Sequence, residues 1–301
     1  MSTLPVVVAV DGSRDSLRAL DWAVDTARGR AAPLRVVHVR HYHAWTQPGA
    51  PVVTPPDPDT DWVLAAARAH VQGVPGLPAT EYAGLDGAVG TVLAEQSRTA
   101  QLLVLGSRGR GGFASLLLGS NGLAAARDAE CPVVVVPRPD RKVEAAPETE
   151  PGPRVVVGLK VDGPDDATLD FAFAEAARRA ARLQVVAVYP WPMQTWSTPG
   201  DLVPPEIDQD AVESETRTLT EGFLAPYRER YADVRAEPLV VPGDAAGHLV
   251  AASKDAELVV VGRHRRRLLA PARMLGSVTN AVLLHAAGPV AVVPPSAGEE
   301  E

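Results

Sequence analysis

Short, valine-rich apolar runs recur along this chain, and segments with apolar residues on one stripe separate them. In the first half, runs at residues 5–10, 34–39, 101–105 and 133–136, with a shorter one at 80–84, predict five strands. Continuous apolar runs of this kind are typical of parallel strands that are covered on both faces. A sheet with helices on both sides is therefore expected.

Helices are predicted between these strands. The segment 13–29 carries its apolar residues on one stripe and begins at Ser13, a suitable N-cap. Further helices are predicted at 59–72, at 88–98 and from Ser120 onwards. Strands that alternate with helices indicate right-handed crossovers and a parallel sheet.

The second half of the chain repeats the first. The segment 6–10 corresponds to 155–159 with an offset of 149 residues, and 132–137 corresponds to 289–294 with an offset of 157. Apolar segments in the same order, with an offset that grows through the loops, indicate duplication of a domain of about 145 residues. The predicted organisation is a first domain (1–138), a proline-rich linker (139–153), a second domain (154–295) and an acidic tail (296–301).

Composition narrows the class of protein. Apolar residues make up 46 % of the 301 residues. The formal net charge is −8, so the protein as a whole does not attract nucleic acid electrostatically. The basic run 263–267 is expected to be a solvated loop. Cys131 is the only cysteine, which excludes an internal disulfide and favours a reducing compartment. No apolar run approaches the roughly 18 residues of a membrane span, so we expect a cytoplasmic protein that binds neither nucleic acid nor membrane.

A glycine-rich stretch after the fourth strand carries the clearest chemical signal. Gly106, Gly109 and Gly119-Ser120 follow the pattern G-x2-G-x9-G-[ST], which matches neither the P-loop nor the dinucleotide fingerprint. Glycines let a backbone approach an oxyanion, Ser120 is placed to cap the next helix, and N–H groups at a helix start point towards an anion. The order of strand, glycine loop and helix start predicts an anion-binding site.

Together with this loop, the segment from Val6 to Asp11-Gly12-Ser13 and the runs 37–39 and 132–136 resemble the universal stress protein family, so that the chain resembles two such domains in tandem. The resemblance implies an α/β fold of two tandem open parallel five-stranded sheets of Rossmann-like type. Each sheet has the strand order 3-2-1-4-5 and helices on both faces. ATP is implied at the carboxyl ends of strands 1 and 4, where ligands of open α/β sheets bind because the strand order reverses there.

The resemblance assigns a role to each residue of the first motif. Asp11 accepts from a ribose hydroxyl or joins Mg²⁺ coordination near the phosphates, unless it is a helix-start acid favoured by the dipole. The glycines leave room for phosphates, which the N–H groups of the following helix bind. Arg108 and Arg110 neutralise phosphate charge unless they are simply solvated arginines of an exposed loop. Val10 and Val39 form apolar walls for adenine unless either is ordinary core. The residues assigned to ATP are Ala9, Val10, Asp11, Val39, Leu105, Gly106, Arg108, Gly109, Gly119, Ser120 and Asn121.

The second domain departs from this motif. Aligned without gaps on strand 1, Lys160 stands opposite Asp11, and Arg265 takes the place of Gly109 in a loop that is one residue longer. A side chain there denies the close backbone approach that the glycine allows. Either this domain has lost nucleotide binding and serves as a scaffold, or its basic residues bind a different and more anionic ligand.

The sequence thus predicts a cytoplasmic stress-response protein that binds ATP, with Mg²⁺, in its first domain and has a regulatory role. One alternative is a non-nucleotide module that dimerises. Another is a slow ATPase, although no Ser-His-Asp, Cys-His or paired-carboxylate set is recognisable and no metal-ligand spacing occurs. The apolar last strands, 133–136 and 290–293, invite edge pairing. We therefore expect a pseudo-dimer of the two domains within one chain, and a homodimer of chains is also compatible with the sequence.

Overall fold

The computed structural model describes residues 3–40, 61–109, 118–139, 141, 143, 150–190, 208–263 and 275–296. Two arginines of the sequence analysis, Arg110 and Arg265, lie outside these ranges, as does the acidic tail beyond residue 296.

Strands and helices alternate through both halves of the chain. The first repeat comprises β1 (Val6–Ala9), α1 (Arg14–Gly29), β2 (Leu34–Arg40), α2 (Trp62–Val71), β3 (Thr80–Asp86), α3 (Val89–Ser97), β4 (Leu102–Gly106), α4 (Ser120–Asp128) and β5 (Val133–Val136). The second repeat comprises β6 (Arg154–Leu159), α5 (Asp166–Arg178), β7 (Arg182–Tyr189), α6 (Gln209–Arg230), β8 (Ala236–Pro242), α7 (Ala245–Ala252), β9 (Leu258–Gly262), α8 (Ser277–His285) and β10 (Val290–Val293). The α/β fold predicted from the sequence is confirmed.

Polar side chains fix where two helices of the first repeat, α1 and α2, begin. Ser13 caps α1 by accepting the N–H of Ser16, as predicted. Asp61 caps α2 by accepting two N–H groups, so that helix begins at Trp62 rather than at residue 59. The prediction that Ser120 caps α4 is wrong, because Gly119 is the N-cap and no side chain bonds there.

The strands form one continuous sheet in the order β3-β2-β1-β4-β5-β10-β9-β6-β7-β8. Within each repeat neighbouring strands are parallel and the order is the predicted 3-2-1-4-5. The two repeats meet where β5 pairs antiparallel with β10, with Ala291 opposite Val134. The expected pairing of the two last strands is confirmed, and it merges the two predicted sheets into one.

Alternate residues of the strands point to two apolar layers. Val6 and Val8 of β1 pack with Leu20 of α1 on one face, and this core continues into the second repeat through Phe173 of α5. On the other face Val7 packs with α3 and α4. Helices α1, α2, α5 and α6 therefore cover one face, while α3, α4, α7 and α8 cover the other.

Candidate functional site

The candidate site lies at the carboxyl ends of β1 and β4. These two strands are neighbours, yet the chain proceeds from β1 outwards to β2 and β3 on one side and from β4 to β5 on the other. The connections after β1 and β4 consequently diverge and leave a crevice between them. Asp11 follows β1 and the glycine loop follows β4, so both motifs reach this crevice.

A tight turn holds Asp11 in place. Oδ1 of Asp11 accepts the N–H of Ser13 at 3.0 Å, and the N–H of Asp11 donates to Oγ of Ser16 at 3.3 Å. Between them Gly12 has a φ of 77°, a conformation that costs glycine little and other residues more. The turn fixes the carboxylate at the mouth of the crevice.

Gly109 provides the space that this carboxylate occupies. A Cβ atom added to Gly109 would lie 2.6 Å from Oδ2 of Asp11, much closer than van der Waals contact allows. Any other residue at this position would displace the carboxylate of Asp11 from where it lies. Two motifs that are 98 residues apart in the sequence form one contact.

The rest of the glycine loop is locked to the start of α1. A Cβ atom on Gly106 would lie 2.7 Å from the backbone carbon and oxygen of Asp15, so only glycine lets β4 end this close to the helix. Oγ of Ser13 donates to the carbonyl of Arg108 at 3.4 Å. Arg108 is partly buried.

Ser107 connects this loop to α4 and β5. Its N–H donates to the carbonyl of Val136 at 2.9 Å, and its own carbonyl accepts the N–H of Gly119 at 2.9 Å. The amide of Gly119, which the sequence analysis assigned to phosphate, is thus used within the protein. The N–H groups of Ser120 and Asn121, both exposed, belong to the first turn of α4 and have no partner in the helix itself.

Sequence reasoning missed a buried carboxylate beside the loop. Asp15 in the first turn of α1 is 3 % exposed and accepts a hydrogen bond from Oγ of Ser107 at 3.3 Å. It pairs with Arg18 at 2.6 Å and with Arg138 at 3.1 Å. This network ties the loop to α1 and to the segment after β5. An acidic residue in the first helical turn, with arginine three residues later, is the signal that the sequence offers.

The four apolar residues assigned to ATP, of which Val10 and Val39 were the predicted adenine walls, lie on two faces of the sheet. Val10 is 3 % exposed and belongs to the core beneath α1 and α2, which is the alternative left open for it. Ala9, Val39 and Leu105 border the layer of α3 and α4 instead. Ala9 and Val39 are partly exposed there, so this side of the crevice has apolar surface that a planar base can contact.

A histidine–aspartate pair lies on the neighbouring strand and helix. Nδ1 of His38 is 2.7 Å from Oδ2 of Asp61, the cap of α2. Burial by itself raises the pKa of Asp61, but the hydrogen bonds from His38 and from the N–H of Leu64 outweigh it and hold the pKa below its ordinary value. The pair anchors α2 against β2.

The equivalent region of the second repeat has a different structure. Helices α1 and α5 end at equivalent residues, but α5 begins three residues later than the alignment predicts, with Asp165 as its cap. Pro164 disfavours helical conformation at Gly163, and the cap formed by Asp165 sets the start of the helix at Asp166. Lys160, opposite Asp11, is 64 % exposed and pairs with Asp162 at 3.4 Å.

The loop after β9 has also changed its contacts. Arg263 is 6 % exposed and donates from Nη1 to the carbonyls of Arg127 and Ala129, at the end of α4 in the other repeat, at 2.9 and 2.6 Å. The expectation of a solvated loop is therefore wrong for Arg263. A guanidinium at a helix carboxyl end is favoured by the helix dipole.

Within the described ranges, no group of three or more His, Cys, Asp or Glu residues is placed to hold a metal ion. Among the helices that the structure describes, none is both long and apolar enough to cross a membrane.

Comparison with known proteins agrees with the repeat. The family model described as "Universal stress protein family" matches twice, at residues 3–137 and 153–294. The chain belongs to the universal stress protein family. It is 36 % identical over 299 residues to the universal stress protein Rv2005c of Mycobacterium tuberculosis, covering 95 % of this chain and 96 % of that protein. It is 31 % identical over 323 residues to Rv1996 of the same organism, covering 97 % and 95 %.

A solved structure supports the architecture over the whole chain. A universal stress protein from Archaeoglobus fulgidus superposes with a TM-score of 0.60, covering 97 % of this chain and 98 % of that one. At 16 % identity this likeness shows the shared fold.

Proposed function

We propose that this member of the universal stress protein family binds an adenine nucleotide, ATP with Mg²⁺, in the crevice of its first repeat. The contact between Asp11 and Gly109 carries the proposal. Both residues are changed in the second repeat, to Lys160 and Arg265. A pair that is kept in one crevice and lost together in the other fits a ligand that only the first crevice binds.

The residues of the crevice fit the three parts of the ligand. Asp11 offers carboxylate oxygens to a ribose hydroxyl or to the metal ion. The first turn of α4, at Ser120 and Asn121, offers N–H groups and the positive end of a helix dipole to the phosphates. Arg108, on the glycine loop itself, would add positive charge, and the surface at Val39 accepts the base. The metal ion when bound would supply positive charge that offsets that of the phosphates.

The second repeat acts as a scaffold in this proposal. Its crevice presents an exposed ammonium at Lys160 in place of a carboxylate, and its loop residue Arg263 is committed to the end of α4. The single cysteine favours a reducing compartment, so we propose that the protein is cytoplasmic. We propose that its role is regulatory and that nucleotide occupancy of one crevice is the signal.

Calorimetric titration of the full chain with ATP and Mg²⁺ tests the proposal. We expect one site per chain, and Asp11→Ala to weaken binding about tenfold or more, which corresponds to about 1.4 kcal/mol. Lys160→Ala is the matched control, because it changes the equivalent position of the other crevice and should leave the affinity unchanged. Two equivalent sites, or unchanged affinity in Asp11→Ala, would contradict the proposal. No binding of ATP, AMP or cyclic AMP in a thermal-shift assay would favour the non-nucleotide module.

A further inference from the structure

The two repeats meet through a second, less obvious set of contacts beside the β5–β10 junction. Helices α1 and α5 cover the same face, and equivalent residues differ by 149 in number. The guanidinium of Arg30 lies over the ring of Phe171 at 5.7 Å. Its equivalent, Arg179, lies over the ring of Trp22 at 5.2 Å. Since Trp22 is the equivalent of Phe171, these two cation–π contacts are related by the pseudo-twofold axis.

Glu175 breaks this symmetry. It is 2 % exposed and accepts from Nη2 of Arg30 at 2.7 Å and from Nε of Arg179 at 3.2 Å. Arg178 adds a third bond, from its Nε at 3.0 Å. The equivalent residue in the first repeat is Thr26, which is also buried. A single carboxylate, supplied by the second repeat, thus forms ion pairs with an arginine of each repeat.

The two arginines also differ in the number of carboxylates beside them, and Arg179 of the second repeat again has more. Arg179 has a second carboxylate, Glu257, at 3.6 Å. Glu257 directly precedes β9, and its equivalent is Gln101, which directly precedes β4. Gln101 accepts from Arg30 at 2.8 Å but carries no charge. Among the described residues, Glu175 is therefore the only carboxylate paired with Arg30. The side chain of Arg30 is only 9 % exposed, and a buried guanidinium without a counter-ion is strongly unfavourable.

We propose that Glu175 determines the specificity of this interface, so that the first repeat accepts a second repeat as its partner and rejects a copy of itself. Two first repeats paired in the same way would bring two Arg30 side chains together with Thr26 and Gln101 and no carboxylate. The second repeat brings the missing charge. The edge strand β5 is thereby directed to β10 of its own chain rather than to β5 of another.

The full chain with Glu175→Thr tests this inference, because it gives the interface the residues that two first repeats would have at this position. The readout is amide hydrogen exchange of β5 and β10, compared with β1 and β6 inside each repeat. We expect exchange at the junction to become at least about tenfold faster, since removing one partner of a buried ion pair has a large penalty. Strands β1 and β6 should change less.

A rescue experiment separates the shared charge from ordinary packing. Thr26→Glu combined with Glu175→Thr moves the carboxylate to the equivalent position across the axis, where Arg30 and Arg179 can both reach it, and should restore most of the protection. Thr26→Gln with Glu175→Thr is the control of similar shape and should restore none. If Glu175→Thr is too unstable to study, Glu175→Gln and Thr26→Glu/Glu175→Gln are expected to show the same order. An unprotected junction in the rescue variant, or an unaffected junction in the single variants, would overturn the proposal.

Discussion

Gly109→Ala should weaken nucleotide binding without touching the ligand's own contacts directly. The added methyl group would lie 2.6 Å from Oδ2 of Asp11. The obstacle is the end of a side chain rather than backbone, so the carboxylate can move and the fold should survive. The substitution therefore displaces Asp11 while leaving its charge in the protein.

The size of the effect follows from the geometry. The carboxylate must retreat by about 0.8 Å, from 2.6 Å to the 3.4 Å at which ordinary contact begins. That movement disturbs the 3.0 Å hydrogen bond from the N–H of Ser13 to Oδ1. A hydrogen bond to a charged group contributes about 1.5–3 kcal/mol. We therefore expect a displaced Asp11 to lose most of its contribution to the free energy of ligand binding. The ATP affinity should fall about tenfold, or about 1.4 kcal/mol, as in Asp11→Ala.

Calorimetry on four proteins tests this reasoning: wild type, Gly109→Ala, Asp11→Ala and the double variant. Once Asp11 is alanine, no carboxylate remains to be displaced, so the double variant should bind like Asp11→Ala. Gly222→Ala is the control for a glycine substitution, because a Cβ there meets nothing within 4 Å. Additive losses in the double variant would mean that the methyl group blocks the nucleotide itself. Unchanged affinity in Gly109→Ala would mean that the position of Asp11 does not matter.

Three further predictions concern stability and reactivity. Gly106→Ala places a methyl group 2.7 Å from the backbone of Asp15, which cannot yield as a side chain can, so urea unfolding should show a loss of about 1–3 kcal/mol; an unchanged midpoint would refute the contact. The pKa values of Asp61 and Glu175 lie below their ordinary values of 3.8 and 4.5, so these groups stabilise the fold above those values and lose their contribution as the pH falls through the lower folded values. Acid unfolding of Asp61→Asn and Glu175→Gln should therefore depend less steeply on pH than in the wild type, and identical profiles would contradict this. Burial raises the pKa of Cys131 to about 12, so the folded protein should resist a thiol reagent at pH 8 that labels the urea-unfolded chain, and fast labelling of the folded protein would show the thiol to be accessible.

Much of the architecture is predictable from the sequence, because it depends on residue patterns that act locally. Valine runs and helical stripes predict the strand and helix order, and the apolar last strands predict the β5–β10 pairing. The start of α5 was not predicted, although the sequence contains a local signal for it. Pro164 followed by Asp165 marks a helix start, and the structure begins α5 there.

The candidate site is less predictable, because its residues meet through space. The sequence predicts that Asp11 and Gly109 lie in one crevice, but not that one occupies the space that the other leaves. The use of the Gly119 amide by Ser107 depends on how two loop ends approach each other. The inward path of Arg263 depends on the position of α4 in the other repeat, which no local pattern specifies.

The antiparallel junction of β5 and β10 turns the two crevices away from each other. All strands of one repeat point opposite to those of the other. The carboxyl rim of the first repeat, where its strands end, therefore lies beside the amino rim of the second, where the strands of that repeat begin. A macromolecule that docked at the first crevice would therefore meet, next to it, the amino-terminal side of the second repeat. Arg263 fits this arrangement, since it leaves the carboxyl rim of its own repeat and meets the far end of α4. Each rim can thus change its chemistry, as the second has done at Lys160, without altering the surface that the other presents to a partner.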